Sequence, residues 1–277
     1  MEYHQGNFKG RDNLSLYYRS WLPSTKPRAV LLIVHGLAEH SGRYSNLASH
    51  FAEEGFAVYS FDLRGHGKSD GSPGYVNRFS EYLDDLEMFS NLISNKHNNA
   101  RTFLIGHSVG GLIAAYFVHN HQDSFGGLIL SGATVKPGSS LSPVKITMAR
   151  MLSLAFPRLG VDVIDATAVS QDQEVVDAYI SDPLVYRDKI SARLGAELIN
   201  AMQRLTEQLS DIKLPALIMH GTADRLSDPE GSRLLYHQIG SDDKTLKEYD
   251  NFFHEIFNEP GRLQVFSDME SCLKAHL

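Results

Sequence analysis

The chain has 277 residues, 42% of them apolar, with 33 acidic against 26 basic side chains and a net charge of −7. That is apolar mass enough for one large core plus an inserted subdomain, and the acidic balance argues against a nucleic-acid partner. A single cysteine, Cys272, cannot close an intramolecular disulfide, and no Cys/His cluster has zinc spacing, so neither a metal nor another cofactor is expected.

In chain order, the polar stretch Met1 to Asn13 lacks an apolar segment of the signal-peptide or membrane-span kind, and a cytoplasmic location is the expectation. Strand-like runs follow at Leu14 to Trp21, Ala29 to Val34, Phe56 to Phe61, Thr102 to Ile105, Gly127 to Ser131, Ala216 to Met219 and Thr245 to Tyr249. Helical stretches near Arg43 to Glu54, Ser80 to Lys96, Gly110 to His119, Pro229 to Gln238 and Pro260 to Leu273 alternate with them. The alternation predicts an α/β fold, with a mostly parallel central sheet, helices on both faces and an antiparallel pair at the start. Between Ser131 and Leu214 the rhythm breaks. Residues 132–213 carry no clear β run and read as a helical cap inserted over the carboxyl edge of a core built from 1–131 and 214–277.

The stretch from Thr102 to Ala115 runs a short apolar strand through Gly106-His107-Ser108-Val109-Gly110 into a small-residue helix. A serine at the tip of such a strand-to-helix turn is held in a strained conformation, and the flanking glycines let strand and helix pass close together. Its hydroxyl then lies at a helix N-terminus, where backbone N–H groups can hold a developing oxyanion. Ser108 is the candidate nucleophile.

A nucleophilic serine needs a base and a carboxylate to orient it. Asp224 follows the run Ala216 to Met219, and His254 follows Thr245 to Tyr249, so both fall where open α/β sheets place their sites. Among rival acids, Asp228 lies too far into the next element and Asp250 too close to His254. Among rival bases, His276 is at the terminus, and His107 sits beside Ser108 pointing elsewhere. The order Ser, Asp, His is that of the α/β-hydrolase fold, not of the chymotrypsin or subtilisin folds. The oxyanion donors are expected to be the N–H of Val109, directly after the nucleophile, and that of Leu37, after the buried run ending in His35-Gly36.

His35-Gly36-Leu37-Ala38-Glu39-His40-Ser41-Gly42-Arg43-Tyr44, Asp62-Leu63-Arg64-Gly65-His66-Gly67, Gly106-His107-Ser108-Val109-Gly110-Gly111, Ser181-Asp182-Pro183-Leu184 and Gly221-Thr222-Ala223-Asp224-Arg225-Leu226 together resemble the monoacylglycerol lipase and lysophospholipase branch of the α/β hydrolases. The resemblance implies oxyanion donors at Leu37 and Val109, and a polar pocket for a glycerol head formed by Glu39, Arg43, His107 and Tyr179. The chain departs from the family pattern at Leu37, usually glycine or alanine, at Ala38, often glycine, at Val109, commonly methionine, and at Ser227, a cysteine in mammalian relatives.

These observations predict a serine hydrolase that cleaves a fatty-acid ester, with monoacylglycerol the favoured substrate. A lysophospholipase, a broad carboxylesterase or a non-catalytic ligand-binding protein of the same fold are the alternatives. Within the cap, the segment Leu141 to Phe156 places Val144, Met148, Met151, Leu152 and Ala155 at helical spacing, with Ile146, Leu154 and Phe156 extending the apolar surface. Contact with lipid, including a transient membrane or micelle contact, is expected there; a helix packed on its neighbours would show the same stripe.

Overall fold

The computed structural model describes residues 1–98, 100–137 and 143–277. In chain order the strands are β1 (Glu2–Lys9), β2 (Ser15–Leu22), β3 (Val30–Val34), β4 (Ala57–Phe61), β5 (Thr102–His107), β6 (Gly127–Ser131), β7 (Gly160–Asp162), β8 (Ile190–Ser191), β9 (Ala216–Gly221) and β10 (Lys244–Tyr249). The helices are α1 (Ser45–Glu53), α2 (Ser80–Lys96), α3 (Val109–His121), α4 (Pro143–Ala155), α5 (Gln173–Ser181), α6 (Ala192–Gln208), α7 (Pro229–Gln238) and α8 (Arg262–Ala275).

All strands but β7 and β8 form one sheet of order β1-β2-β4-β3-β5-β6-β9-β10, parallel from β4 to β10 and antiparallel across β1·β2 and β2·β4. Every residue of β3, β4, β5, β6 and β9 is buried. Near-continuous runs of this kind belong to parallel strands covered on both faces. Alternate residues serve the two sides. Val30, Leu32, Leu104, Leu128 and Ile218 join a core with Leu86 and Phe89 of α2, Leu112 and Ile113 of α3, and Leu198 and Leu205 of α6. Leu31, Ile33, Ile105, Ile129 and Leu217 pack with Leu47 and Phe51 of α1 and with Val265, Phe266 and Met269 of α8. The chain leaves β3 for β4 on one side and takes up β5 on the other, so the loops after β3 and β5 diverge at the carboxyl edge and open a crevice there.

Two features differ from the sequence-based expectation. No strand is predicted over Glu2–Lys9, yet β1 pairs with β2 along its whole length. Its residues are mostly exposed, and its apolar holds are Phe8, in ring contact with Phe61 and Phe89, and Tyr3 against Trp21, too sparse a pattern to show an alternation. The segment between β6 and β9 is also not purely helical. Besides α4, α5 and α6 it holds the antiparallel pair β7·β8, whose strands are too short to carry any period.

Within that segment α6 is built into the fold: Leu194, Leu198, Ala201, Met202 and Leu205 are all buried in the main core. Helix α4 packs on α6 but leaves Val144, Met148, Met151 and Leu154 exposed. The expected start of this apolar segment, Leu141, lies outside the described residues.

Candidate active site

Ser108 stands between β5 and α3 with φ 54° and ψ −122°, a conformation rarely tolerated by a side-chain-bearing residue. The surroundings over-determine it. Its N–H donates to the Ser131 carbonyl (2.9 Å), and its own carbonyl accepts from Gly111, Leu112 and Thr134. A Cβ at Gly106 would lie 2.5 Å from the Gly110 carbonyl oxygen, and one at Gly110 would lie 2.2 Å from that of Val34, so only glycine lets strand and helix approach this closely.

Asp224 and His254 come together from the loops after β9 and β10. His254 Nδ1 donates to Asp224 Oδ2 at 2.6 Å, and both side chains are almost wholly buried. The other oxygen, Oδ1, accepts the backbone N–H groups of Leu226 (2.8 Å) and Ser227 (3.0 Å). Burial alone would raise the Asp224 pKa. The His254 charge and the hydrogen bonds from His220 and His254 prevail and hold it far below the usual carboxylate range. For His254, burial opposes the cation, but Asp224, with help from Glu255 and Glu39, raises its pKa above the ordinary value. That is the arrangement of a base whose protonated form is stabilised once it has taken a proton.

Among the described residues the Ser108 hydroxyl is paired with Thr134 Oγ1 (3.3 Å), which is itself 2.7 Å from Ser227 Oγ, and no hydrogen bond joins it to His254. Ser108 and His254 nonetheless line the same cavity.

Leu37 and Val109 also line this cavity, and among the described residues neither N–H is taken by another group of the protein. Glu39 fixes the loop that carries Leu37, its Oε1 accepting from the Gly36 N–H (2.6 Å) and the Tyr44 hydroxyl (2.7 Å). Ala38, the next residue, sits at φ 68°, in the left-handed region that favours glycine.

Glu39, His107 and Tyr179 line the cavity as well; Arg43 is not among its wall residues. The Arg43 guanidinium stacks 4.7 Å from the Tyr179 ring centre, with Glu255 at 2.6 Å and Glu39 at 3.6 Å. Burial and the neighbouring Glu255 push the Glu39 carboxyl up, against the pull of Arg43. Among the described residues the buried Tyr179 hydroxyl has no hydrogen-bond partner. Burial, with the nearby His254, pushes the His107 ring well below its usual pKa, and it lies 4.6 Å from the His254 ring.

Sequence reasoning missed His220, Thr134 and Glu255. His220 lies four residues before Asp224 at the end of the same strand, yet nothing in the sequence sets it apart from the other twelve of the chain's 13 histidines. The cavity encloses about 1290 Å³, and beside these polar groups its wall carries Met148, Met151 and Leu152 of α4 and Ile199 and Met202 of α6. No group of His, Cys, Asp and Glu among the described residues could hold a metal ion.

The serine aminopeptidase S33 family profile matches residues 25–261. A monoacylglycerol lipase of Mycolicibacterium smegmatis is 36% identical over 271 residues, spanning 98% of this chain and 97% of the relative. The crystal structure of the Paleococcus ferrophilus monoacylglycerol lipase covers both chains completely at 31% identity with a TM-score of 0.80. That of a soluble variant of the Saccharomyces cerevisiae monoglyceride lipase, in complex with a substrate analog, is 27% identical, covers 99% of this chain and 94% of that one, and has a TM-score of 0.86. The chain therefore belongs to the serine aminopeptidase S33 family of α/β hydrolases, in its monoacylglycerol lipase branch, and is a carboxylic ester hydrolase.

Proposed function

We propose that the enzyme cleaves monoacylglycerols to glycerol and free fatty acid through an acyl-enzyme intermediate on Ser108. One observation carries this reading: a single cavity joins an apolar wall, suited to an acyl chain, to Ser108 and to the buried polar groups of Glu39, His107 and Tyr179. Lipases of this specificity among the relatives support it.

In the proposed cycle Ser108 Oγ attacks the ester carbonyl while His254 takes its proton and Asp224 holds the imidazole in the Nδ1–H tautomer. The N–H groups of Leu37 and Val109 receive the oxyanion. His254 then gives its proton to the departing glycerol oxygen and next activates the water that releases the fatty acid. Free hydroxyls of the leaving glycerol pair with Glu39, His107 and the open Tyr179 hydroxyl, Arg43 acting from behind through Glu39 and Tyr179. A second acyl chain would leave these groups unpaired, at a cost of about 1–3 kcal/mol each.

Residues 132–213 are proposed to act as a cap over the core, with the exposed face of α4 making transient, peripheral contact with the lipid surface that supplies substrate. Among the described residues no helix is long and apolar enough to cross a membrane. A lone, unpaired cysteine suits a reducing compartment, and the cytoplasm is the proposed setting. A hydrolysis profile over mono-, di- and triacylglycerols and p-nitrophenyl esters of graded length tests the reading. A strong preference for monoacylglycerols is expected; equal rates on mono- and triacylglycerols would make the enzyme a general lipase.

A further inference from the structure

Asp224 Oδ2 receives two imidazoles, His254 Nδ1 at 2.6 Å and His220 Nε2 at 2.9 Å. His220 is wholly buried at the end of β9. Among the described residues its Nε2 faces only acceptors, Asp224 Oδ2 and the Ser227 carbonyl at 3.2 Å, so this nitrogen carries a hydrogen. Its Nδ1 lies 2.6 Å from Ser232 Oγ on α7, whose hydroxyl is placed to donate to it. The result is a buried chain in which Ser232 donates to His220, and His220 and His254 both donate to one carboxylate oxygen.

We propose that His220 is a positioning residue for the acid–base pair, its Nε2–H sharing Asp224 Oδ2 with His254 and so limiting how strongly the carboxylate holds a proton on His254. The proposal rests on the reading of Ser108, Asp224 and His254 as a triad. Orientation of Asp224 does not depend on His220 alone, because Oδ1 is separately held by two backbone N–H groups. What His220 uniquely supplies is a second donor on the oxygen that His254 uses. With the His220 and Asp224 side chains both fully buried, a phenyl ring in place of His220 supplies no donor, and the full charge of that oxygen then falls on His254. The Ser232 hydroxyl strengthens the effect by polarising the His220 ring toward Asp224. The other titratable groups around His254 are Glu255 beside it in its own loop, Glu39 from the loop after β3, and His107 at the end of β5. Of these, His107 also feels the His220 ring directly, whereas Glu255 and Glu39 have no hydrogen bond or ion pair with His220 among the described residues.

The test is the pH dependence of kcat/KM on a soluble p-nitrophenyl ester for the wild type, His220→Phe and His220→Gln. In His220→Phe the acid limb is expected to move up by about half a pH unit or more, with the plateau retained within about tenfold. His220→Gln keeps an N–H donor and should keep the limb near the wild-type position. A role in packing alone would lower the plateau and the unfolding midpoint without moving the limb, and a folded His220→Phe with an unmoved limb overturns the proposal. Imidazole ¹⁵N NMR of the wild type gives an answer that needs no variant. Hydrogen on His220 Nε2 near neutral pH supports the chain of donors; hydrogen on Nδ1 instead overturns it. Ser108→Ala in the same assay separates the two levels. Retained turnover there would remove the triad and this proposal together, whereas a dead Ser108→Ala with an unmoved His220→Phe limb removes only the role of His220.

Discussion

The Ser108 turn and helix α4 contribute to the wall of one cavity, yet they are built on opposite principles. At Ser108 the backbone N–H and carbonyl are both hydrogen-bonded, the flanking glycines are fixed by close approach, and Asp224 and His254 are buried and paired. On α4 the apolar side chains of Val144 and Leu154 are 68% and 77% exposed, and among its described side chains only Ser153 is buried. Strain and burial hold reacting groups to small tolerances. An exposed apolar face on a helix held through α6 carries no such precision, but it can meet chains and surfaces of varied shape. Chemistry and substrate supply should therefore fail separately when each region is altered.

The largest effect belongs to the rigid side. Ser108→Ala should lower kcat by on the order of 10⁴-fold or more with an unchanged unfolding midpoint, measured by turnover and thermal melting. The same region sets the pH response. His254 must be neutral to accept a proton, and its pKa is raised above 6.5, so kcat/KM should rise with pH through a midpoint above that value, losing about tenfold per pH unit on the acid side. A midpoint below 6.5 would mean that Asp224 does not support the imidazolium.

In the cavity that the two regions share, Tyr179→Phe removes a buried hydroxyl that has no partner among the described residues. Stability should hold or rise, while the preference for monoacylglycerol over diacylglycerol falls by about tenfold. Unchanged selectivity would take Tyr179 out of the alcohol pocket. On the adaptable side, Val144→Ser with Leu154→Ser alters exposed residues that are not part of the cavity wall. Action on aggregated long-chain substrate should drop severalfold while soluble short-chain esters are hydrolysed as before; equal losses on both would assign these side chains to packing. The smallest effect is expected at Ala38, whose φ of 68° suits glycine. Ala38→Gly should raise stability by up to about 1 kcal/mol in urea unfolding, since relief of the left-handed strain outweighs the added freedom of the unfolded chain.

The same contrast explains what the sequence makes legible. Buried parallel strands are continuous apolar runs, and β3, β5, β6 and β9 fall within a residue or two of the expected bounds. The Gly106 to Gly110 turn is readable because close packing leaves only glycine at those positions. Strand β1 escapes notice because its stability comes from pairing with β2 rather than from its own side chains. Strands β7 and β8 are too short for a period. The withdrawal of Arg43 behind Tyr179, the pairing of Ser108 with Thr134 and the approach of His220 to Asp224 all depend on how side chains turn once the loops are assembled. No spacing in the chain encodes that.

Everything proposed for this site depends on Ser108 being the nucleophile. Incubation with a fluorophosphonate, followed by peptide mass mapping, tests it most directly. One adduct per chain is expected, located on Ser108 and blocking ester hydrolysis in proportion to its formation; an adduct on any other residue, or full activity in a chain labelled at Ser108, would rule out Ser108 as the nucleophile.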